Sequence, residues 1–389
     1  MSEHVGQTNP PLTLGEKLKQ EAYRLGFSFA RIGHYQPPSH ADQLEPWLRA
    51  GRHGEMQWLA RDPERRADPR LFWPEGRSLL TVGMNHFQTA PIELLEDPSR
   101  GRFAQYAWGL DYHDLLTERL RMLGEFASEI TDGEIAYKPC VDTSALLERP
   151  IASDAGAGFI GKHTLLINRQ LGSRFFLGEL LLNVELPADG PSGMTFGCGE
   201  CRRCGEACPT GALDREWSMD ARLCISYLTI ENKGPIPREL RSSMGNRVFG
   251  CDICQDVCPY NARMLSPTEE SHLRTSSKNR FAPKLLDLLA LDDEGFKTRF
   301  RGTAIIRTKR RGLLRNVAVA LGNWGSNEAV LPLTGALGDQ EELIRGHAAW
   351  ALGKIGNASA VEALQKAYSS EDIDWVREEI TAALEGNNS

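Results

Sequence analysis

CGECRRCGEACP at 198–209 and FGCDICQDVCP at 249–259 hold seven of the chain's nine cysteines, and Cys224 lies between them. The first run, Cys198, Cys201, Cys204 and Cys208 followed by Pro209, has the spacing of bacterial ferredoxins. There, three thiolates bind one cubane and the fourth, set on the turn made by the proline, reaches the other. The second run, Cys251, Cys254 and Cys258 followed by Pro259, is one cysteine short, so eight ligands close two cubanes only if Cys224 is recruited. The crossed scheme gives Cys198, Cys201, Cys204 and Cys258 to one [4Fe-4S] cluster, and Cys208, Cys224, Cys251 and Cys254 to the other. Paired CxxC spacings also suit tetrahedral zinc, but zinc has no use for a third in-register cysteine or for the Cys-Pro endings. Disulfides imply an oxidising compartment, and nothing near the N-terminus suggests export.

At 389 residues the chain is long enough for two or three domains. Its 41% hydrophobic and 25% charged content is that of a soluble globular protein. With a net charge of −7, any nucleic-acid binding has to come from a local patch. MSEHVGQTNPPLTLGEKLKQ has neither an apolar secretory core nor an arginine pair, and no apolar run is long enough to span a membrane. These features describe a cytoplasmic redox protein without membrane association.

Upstream of the cysteines, strand-like and helical patterns alternate, as in an α/β domain. Helices are predicted over 13–26 (Thr13 as N-cap, Gly26 as stop), 41–60, 111–129 and 144–154. Strands are predicted at 27–33 and 78–86, with TLLIN and FFLGELLLNVEL forming a hairpin. Asp142 falls on the short connection after a strand ending near Val141. Gly156, Gly158 and Gly161 form a loop that leads into a strand, the wrong context for a dinucleotide fingerprint.

Downstream, RFRGTAIIRTKRRGLLR (299–315) carries Arg299, Arg301, Arg307, Lys309, Arg310, Arg311 and Arg315 with no acid. A solvated helix face would interleave acids, so the tract reads as a phosphate-binding surface. From 313, Leu321-Gly322 recurs as Leu352-Gly353, Gly325 as Gly356 and Leu333 as Leu364. That period of about 31 residues is characteristic of HEAT-like helical repeats, which usually dock a large partner.

Taken together, VDTSALLER (141–149), GFIGKHTLLI (158–167), FLGELL, the two cysteine runs, CISYLTIE (224–231) and GTAIIRTKRRGLLRN make the chain resemble the epoxyqueuosine reductase family over nearly its full length. The resemblance implies a nitroreductase-like, reductive-dehalogenase-like α/β cobalamin domain at 1–187, a ferredoxin-like double [4Fe-4S] module at 188–265 and helical repeats for tRNA docking at 280–389. It implies cobalamin as cofactor and tRNA carrying epoxyqueuosine as substrate. An external electron donor and a monomeric enzyme complete the expectation.

The site residues expected on that basis are Asp142 as proton donor, kept protonated by desolvation, with Met56, Arg149, Leu166, Leu177 and Ser226 beside it at the cobalamin. Arg307, Lys309, Arg310, Arg311 and Arg315 would hold tRNA. Alternatives stand open for several of these. Asp142 also suits an N-cap, Arg149 a salt bridge with Glu148 or Asp154, and Cys140 either a pocket wall or an inert buried thiol. Tyr106 to His113 is expected to face the pocket. Asp111, Tyr112 and His113 begin like a cobalamin-ligand motif, but Leu116 stands where it needs glycine. A corrinoid dehalogenase would carry a twin-arginine signal and lack the repeats. An electron-transfer subunit, or a tRNA-binding protein with structural clusters, leaves Asp142 without a role.

Overall fold

The computed structural model describes residues 11–191, 197–263 and 266–386. The domain boundary expected at 265 and residues 1–10 of the stretch read for export signals lie outside them. The N-terminal region is built on a four-stranded sheet in the order Phe29–His34, Ser78–Asn85, Phe175–Leu182, Tyr137–Cys140, every neighbouring pair antiparallel. Its two central strands are buried almost throughout, because helices cover both faces.

On one face, Leu18 and Ala22 of helix Leu14–Arg24 join Leu116, Leu120 and Leu123 of helix Tyr112–Glu129. They pack on Ile32, Leu80, Val82, Phe176 and Leu180. On the other, helix Glu148–Asp154 places Ile151 against Leu79, Cys140 and Leu181, and Ala152 against Phe29, Leu166 and Phe175. Thr13 and Glu16 form a reciprocal capping box at the first helix, and Gly26 (φ 87°) follows its end.

Three sequence expectations fail, each for a visible reason. The helix predicted over 41–60 is divided into Ala41–Gln43, Leu44–Arg49 and Gln57–Ala60. Gly51 and Gly54 have positive φ; a Cβ on Gly54 would lie 2.4 Å from the Tyr227 hydroxyl, to which Glu55 N–H donates at 2.7 Å. The helix is interrupted so that the cysteine module can dock. TLLIN and FFLGELLLNVEL do not pair as a hairpin; Asn168 bridges only to Gly172, in the connection between them. Leu166–Ile167 pairs instead with Phe159–Ile160, and Phe175–Leu182 is taken on both edges by the main sheet. The 144–154 helix begins only at Glu148, leaving 141–147 as irregular chain.

The repeats are paired helices: Lys309–Trp324 with Val330–Ala336, Glu342–Ile355 with Ala358–Tyr368, then Asp374–Glu385. Gly325 and Gly356 each take the left-handed position after a long helix. Gly322 and Gly353 let neighbouring helices touch, since added Cβ atoms would meet Trp350 at 2.6 Å and Ala383 at 2.5 Å. This core extends back into the N-terminal region: Leu95, Phe103, Ala107 and Trp108 are buried with residues of the repeats, and Arg102–Phe103 pairs parallel with Arg247–Phe249.

Candidate active site and iron–sulfur module

Where strand Tyr137–Cys140 runs out, Asp142 turns the chain at φ 50°, a left-handed conformation that aspartate tolerates better than most residues. Its N–H donates to Glu148 Oε1 at 2.7 Å, so Asp142 is held by the helix that follows and does not cap it. Its Oδ2 lies 3.0 Å from His113 Nε2, and His113 Nδ1 lies 2.7 Å from Asp111 Oδ1. Asp111 is the N-cap of helix Tyr112–Glu129, accepting from His113 N–H. Arg307 completes the group, 4.0 Å from Asp142 Oδ2 and 3.9 Å from Asp111 Oδ2.

The electrostatics of this array overturn one expectation. Burial does push the Asp142 carboxyl upward, but the His113 hydrogen bond and the charges of His113, Arg307 and Arg149 outweigh it, and its pKa falls below the ordinary value. Burial works against the His113 imidazolium too, yet hydrogen bonds to Asp111 and Asp142 raise it above its ordinary 6.5. The proton of the pair therefore resides on the imidazole, between two carboxylates.

Behind Asp142 lies a second acid pair, half-buried Glu148 and buried Glu179. Glu179, wholly enclosed, faces Thr81 and Cys140 across the sheet, and neither its oxygens nor the Thr81 hydroxyl finds a hydrogen-bond partner among the described residues. Burial, then the Asp142 charge, pushes Glu148 up to about 7; burial and Glu148 push Glu179 higher. Two carboxyls in such surroundings disfavour carrying both charges at once. Cys140, also lifted to about 12 by burial, sits among Tyr35, Leu79, Leu146 and Ile151 as an inert thiol.

In the cysteine module, Cys198, Cys201, Cys204 and Cys258 line one cavity with His163, Arg203, Pro259 and Tyr260. Burial raises the Cys224 and Cys254 thiols, with Cys208 adding at Cys224 and Cys251 and Cys224 adding at Cys254. Backbone N–H groups of Ser226 and Tyr227 serve the Cys224 sulfur, that of Ile253 serves Cys251, and those of Tyr260 and Asn261 serve Cys258. Crowded, half-buried sulfurs that repel one another as thiolates, with amide donors at Cys224, Cys251 and Cys258, suit bound metal.

The residues expected at a cofactor fall in two groups. Arg149 donates to the Thr164 carbonyl at 2.9 Å. Leu166 and Leu177 both belong to the apolar cluster under helix Glu148–Asp154, so these three share one face of the sheet. Met56 packs with Tyr227, Leu228 and Cys224, next to Ser226. The basic tract is divided. Arg315 is buried and donates to the carbonyls of Leu228, Asn232 and Gly234, so it cannot meet a phosphate. Arg310 is committed to Asp339 and the Leu291 carbonyl. Arg311 donates to the Lys233 carbonyl and is partly exposed, whereas Arg307 and Lys309 are exposed. Sequence reasoning had singled out the segment ending at His113 but not its bridging role, and it missed Glu148, Glu179 and His163.

A helix-flanked antiparallel sheet with a carboxylate–imidazole array at its end, beside a module of paired cysteines, defines an iron–sulfur oxidoreductase. Residues 66–143 match the family described as epoxyqueuosine reductase QueG, DUF1730, residues 197–261 the 4Fe-4S double cluster binding domain, and 303–385 the HEAT repeats. The chain is 42% identical to the epoxyqueuosine reductase of Escherichia coli (strain K12), over 87% of this chain and 89% of that one. It therefore belongs to the epoxyqueuosine reductase family. It is also similar to an epoxyqueuosine reductase solved with an epoxyqueuosine-modified tRNA-Tyr stem loop: TM-score 0.87, 32% identity, 97% of this chain and 99% of that one. A third relative is the Bacillus subtilis enzyme with its aspartate catalytic loop swung out of the active site, with TM-score 0.85, 31% identity, and 96% and 98% coverage. No described helix is long and apolar enough to cross a membrane.

Proposed function

We propose that this protein reduces epoxyqueuosine to queuosine in tRNA. The observation that carries the reading is the Asp111–His113–Asp142 array, set on a strained loop at the sheet end, in a chain that matches family members over most of its length. Converting an epoxide to an alkene takes two electrons and two protons and releases water. When bound, two [4Fe-4S] clusters and cobalamin supply one-electron relay and a low-valent metal centre, and an external donor supplies the electrons.

The cysteine groups fit two crossed clusters: the first cavity gathers Cys198, Cys201 and Cys204 with Cys258 from the other run. Cys208, Cys224, Cys251 and Cys254 would hold the second. For the corrin, Leu166 and Leu177 on the face that carries helix Glu148–Asp154 would stand with Asp142 and Arg149, and Met56 and Ser226 on the side of the cysteine module.

The chain's own chemistry lies at Asp142. Its carboxylate is the exposed member of the array, and it relays to the departing oxygen the proton held at His113 Nε2. Arg307 stands beside it, placed to meet a phosphate of the substrate, with Lys309 and Arg311 continuing the surface. The test is anaerobic protein reconstituted with iron, sulfide and cobalamin, given epoxyqueuosine-bearing tRNA and a low-potential chemical reductant. Queuosine should form only with all components present. Protein loaded with about eight irons and one cobalt that leaves the nucleoside unchanged would overturn the substrate; turnover without cobalamin would overturn the cofactor.

A further inference from the structure

His163 has no part in the chemistry above, yet its surroundings give it a defined state. It is 4% exposed. Its Nδ1 accepts the Leu165 N–H at 3.2 Å, so in the neutral ring the proton is on Nε2. Nε2 is buried and finds no partner among the described residues. An unpartnered buried N–H is costly, and this ring lines the cavity formed by Cys198, Cys201, Cys204 and Cys258.

The ring is fixed there from both sides. Lys162, its neighbour, places its backbone N–H 3.4 Å from Cys198 Sγ and its ammonium 2.7 Å from the Gly199 carbonyl and 2.8 Å from Glu216. On the other side, Arg149 holds the Thr164 carbonyl, and Thr164 is at φ 68°. The loop that carries His163 is thus tied both to the cysteine run and to the helix behind Asp142.

We infer that His163 is a positioning residue for electron transfer: its Nε2–H donates to a sulfur of the cluster held by Cys198, Cys201, Cys204 and Cys258. The inference rests on the cluster assignment proposed above. A hydrogen bond to cluster sulfur withdraws negative charge and favours the reduced state, raising the potential of that cluster alone.

The test uses the full chain reconstituted with iron and sulfide. Iron per chain is counted first, and a chain that assembles no cluster refutes the cluster assignment, separately from His163. In redox titrations followed by electron paramagnetic resonance, His163→Phe should make reduction of one cluster about tenfold less favourable, a 59 mV fall for one electron, and leave the other unmoved. His163→Gln, which keeps an N–H donor, should recover most of the shift. Unchanged potentials, or equal falls in both variants, would overturn the inference.

Should His163→Phe lose iron, the wild type itself decides. With 15N-labelled histidine, pulsed resonance should show a histidine nitrogen coupled to one cluster signal, and its absence defeats the proposal.

Discussion

At Asp142 the backbone is held at positive φ, which costs about 1–3 kcal/mol for a residue with a side chain. The bond from its N–H to Glu148 and that from its carboxylate to His113 supply the restraint. Asp142→Asn keeps the shape but breaks the charge pairing that raises His113. On the proposed mechanism, turnover should fall by about two to four orders of magnitude with iron and cobalt content unchanged; single-turnover assays measure it, and full activity would remove Asp142 from the chemistry. The array also sets a pH dependence. His113, raised above 6.5, adds stability that is complete below that value and lost as pH rises through its folded pKa. Asp111 and Asp142, both depressed, add stability present above about 3.9 and lost as pH falls through their folded values. The rate should therefore decline on the alkaline side along a limb lying above pH 6.5, and His113→Gln should abolish that limb in a pH–rate profile.

Among the elements, the tract at 299–315 shows what sequence can and cannot reveal. Its composition was legible, but its division was not, because spacing within one segment says nothing about which carbonyls of residues 228–234 will meet Arg315. The cysteine runs were legible since metal ligation imposes its own short spacing. So were the repeats, whose glycines mark left-handed caps and helix contacts. The 41–60 helix was misread because Tyr227, far along the chain, dictates the break. The bridging role of His113 was not legible, since its second partner, Asp142, lies on another element. The division has a measurable consequence. Arg307→Ala with Lys309→Ala should weaken tRNA binding and flatten its salt dependence by about two phosphate contacts. Arg315→Ala should instead cost about 2–4 kcal/mol in chemical denaturation, as carbonyls are left buried without donors. An unchanged salt slope in the double variant would place the tRNA elsewhere.

In the whole molecule, the repeats do more than offer a surface to a partner. Their helices grip the chain's own cysteine module: Asn316 donates to the carbonyls of Thr229 and Val248, Asn323 to those of Arg241 and Gly245, and His347 accepts from Ile236 N–H. Arg241 and Glu379 form a bidentate pair at 2.8 Å, 1% and 7% exposed, and Arg238 adds a third bond to the same carboxylate. A pair so enclosed adds little net stability while intact, but leaving one charge without the other costs about 3–5 kcal/mol. Since the Arg307 turn also reaches the Asp111–His113–Asp142 array, the repeats, the cysteine module and the sheet should unfold together. Glu379→Ala should thus lower the denaturation midpoint of the whole protein, and helical circular dichroism and cluster absorbance should shift equally in one coincident transition. Loss of helical signal while the cluster absorbance persists would mean that the repeats are an independent unit, and the coupling between the Arg307 turn and the cysteine module would have to be abandoned.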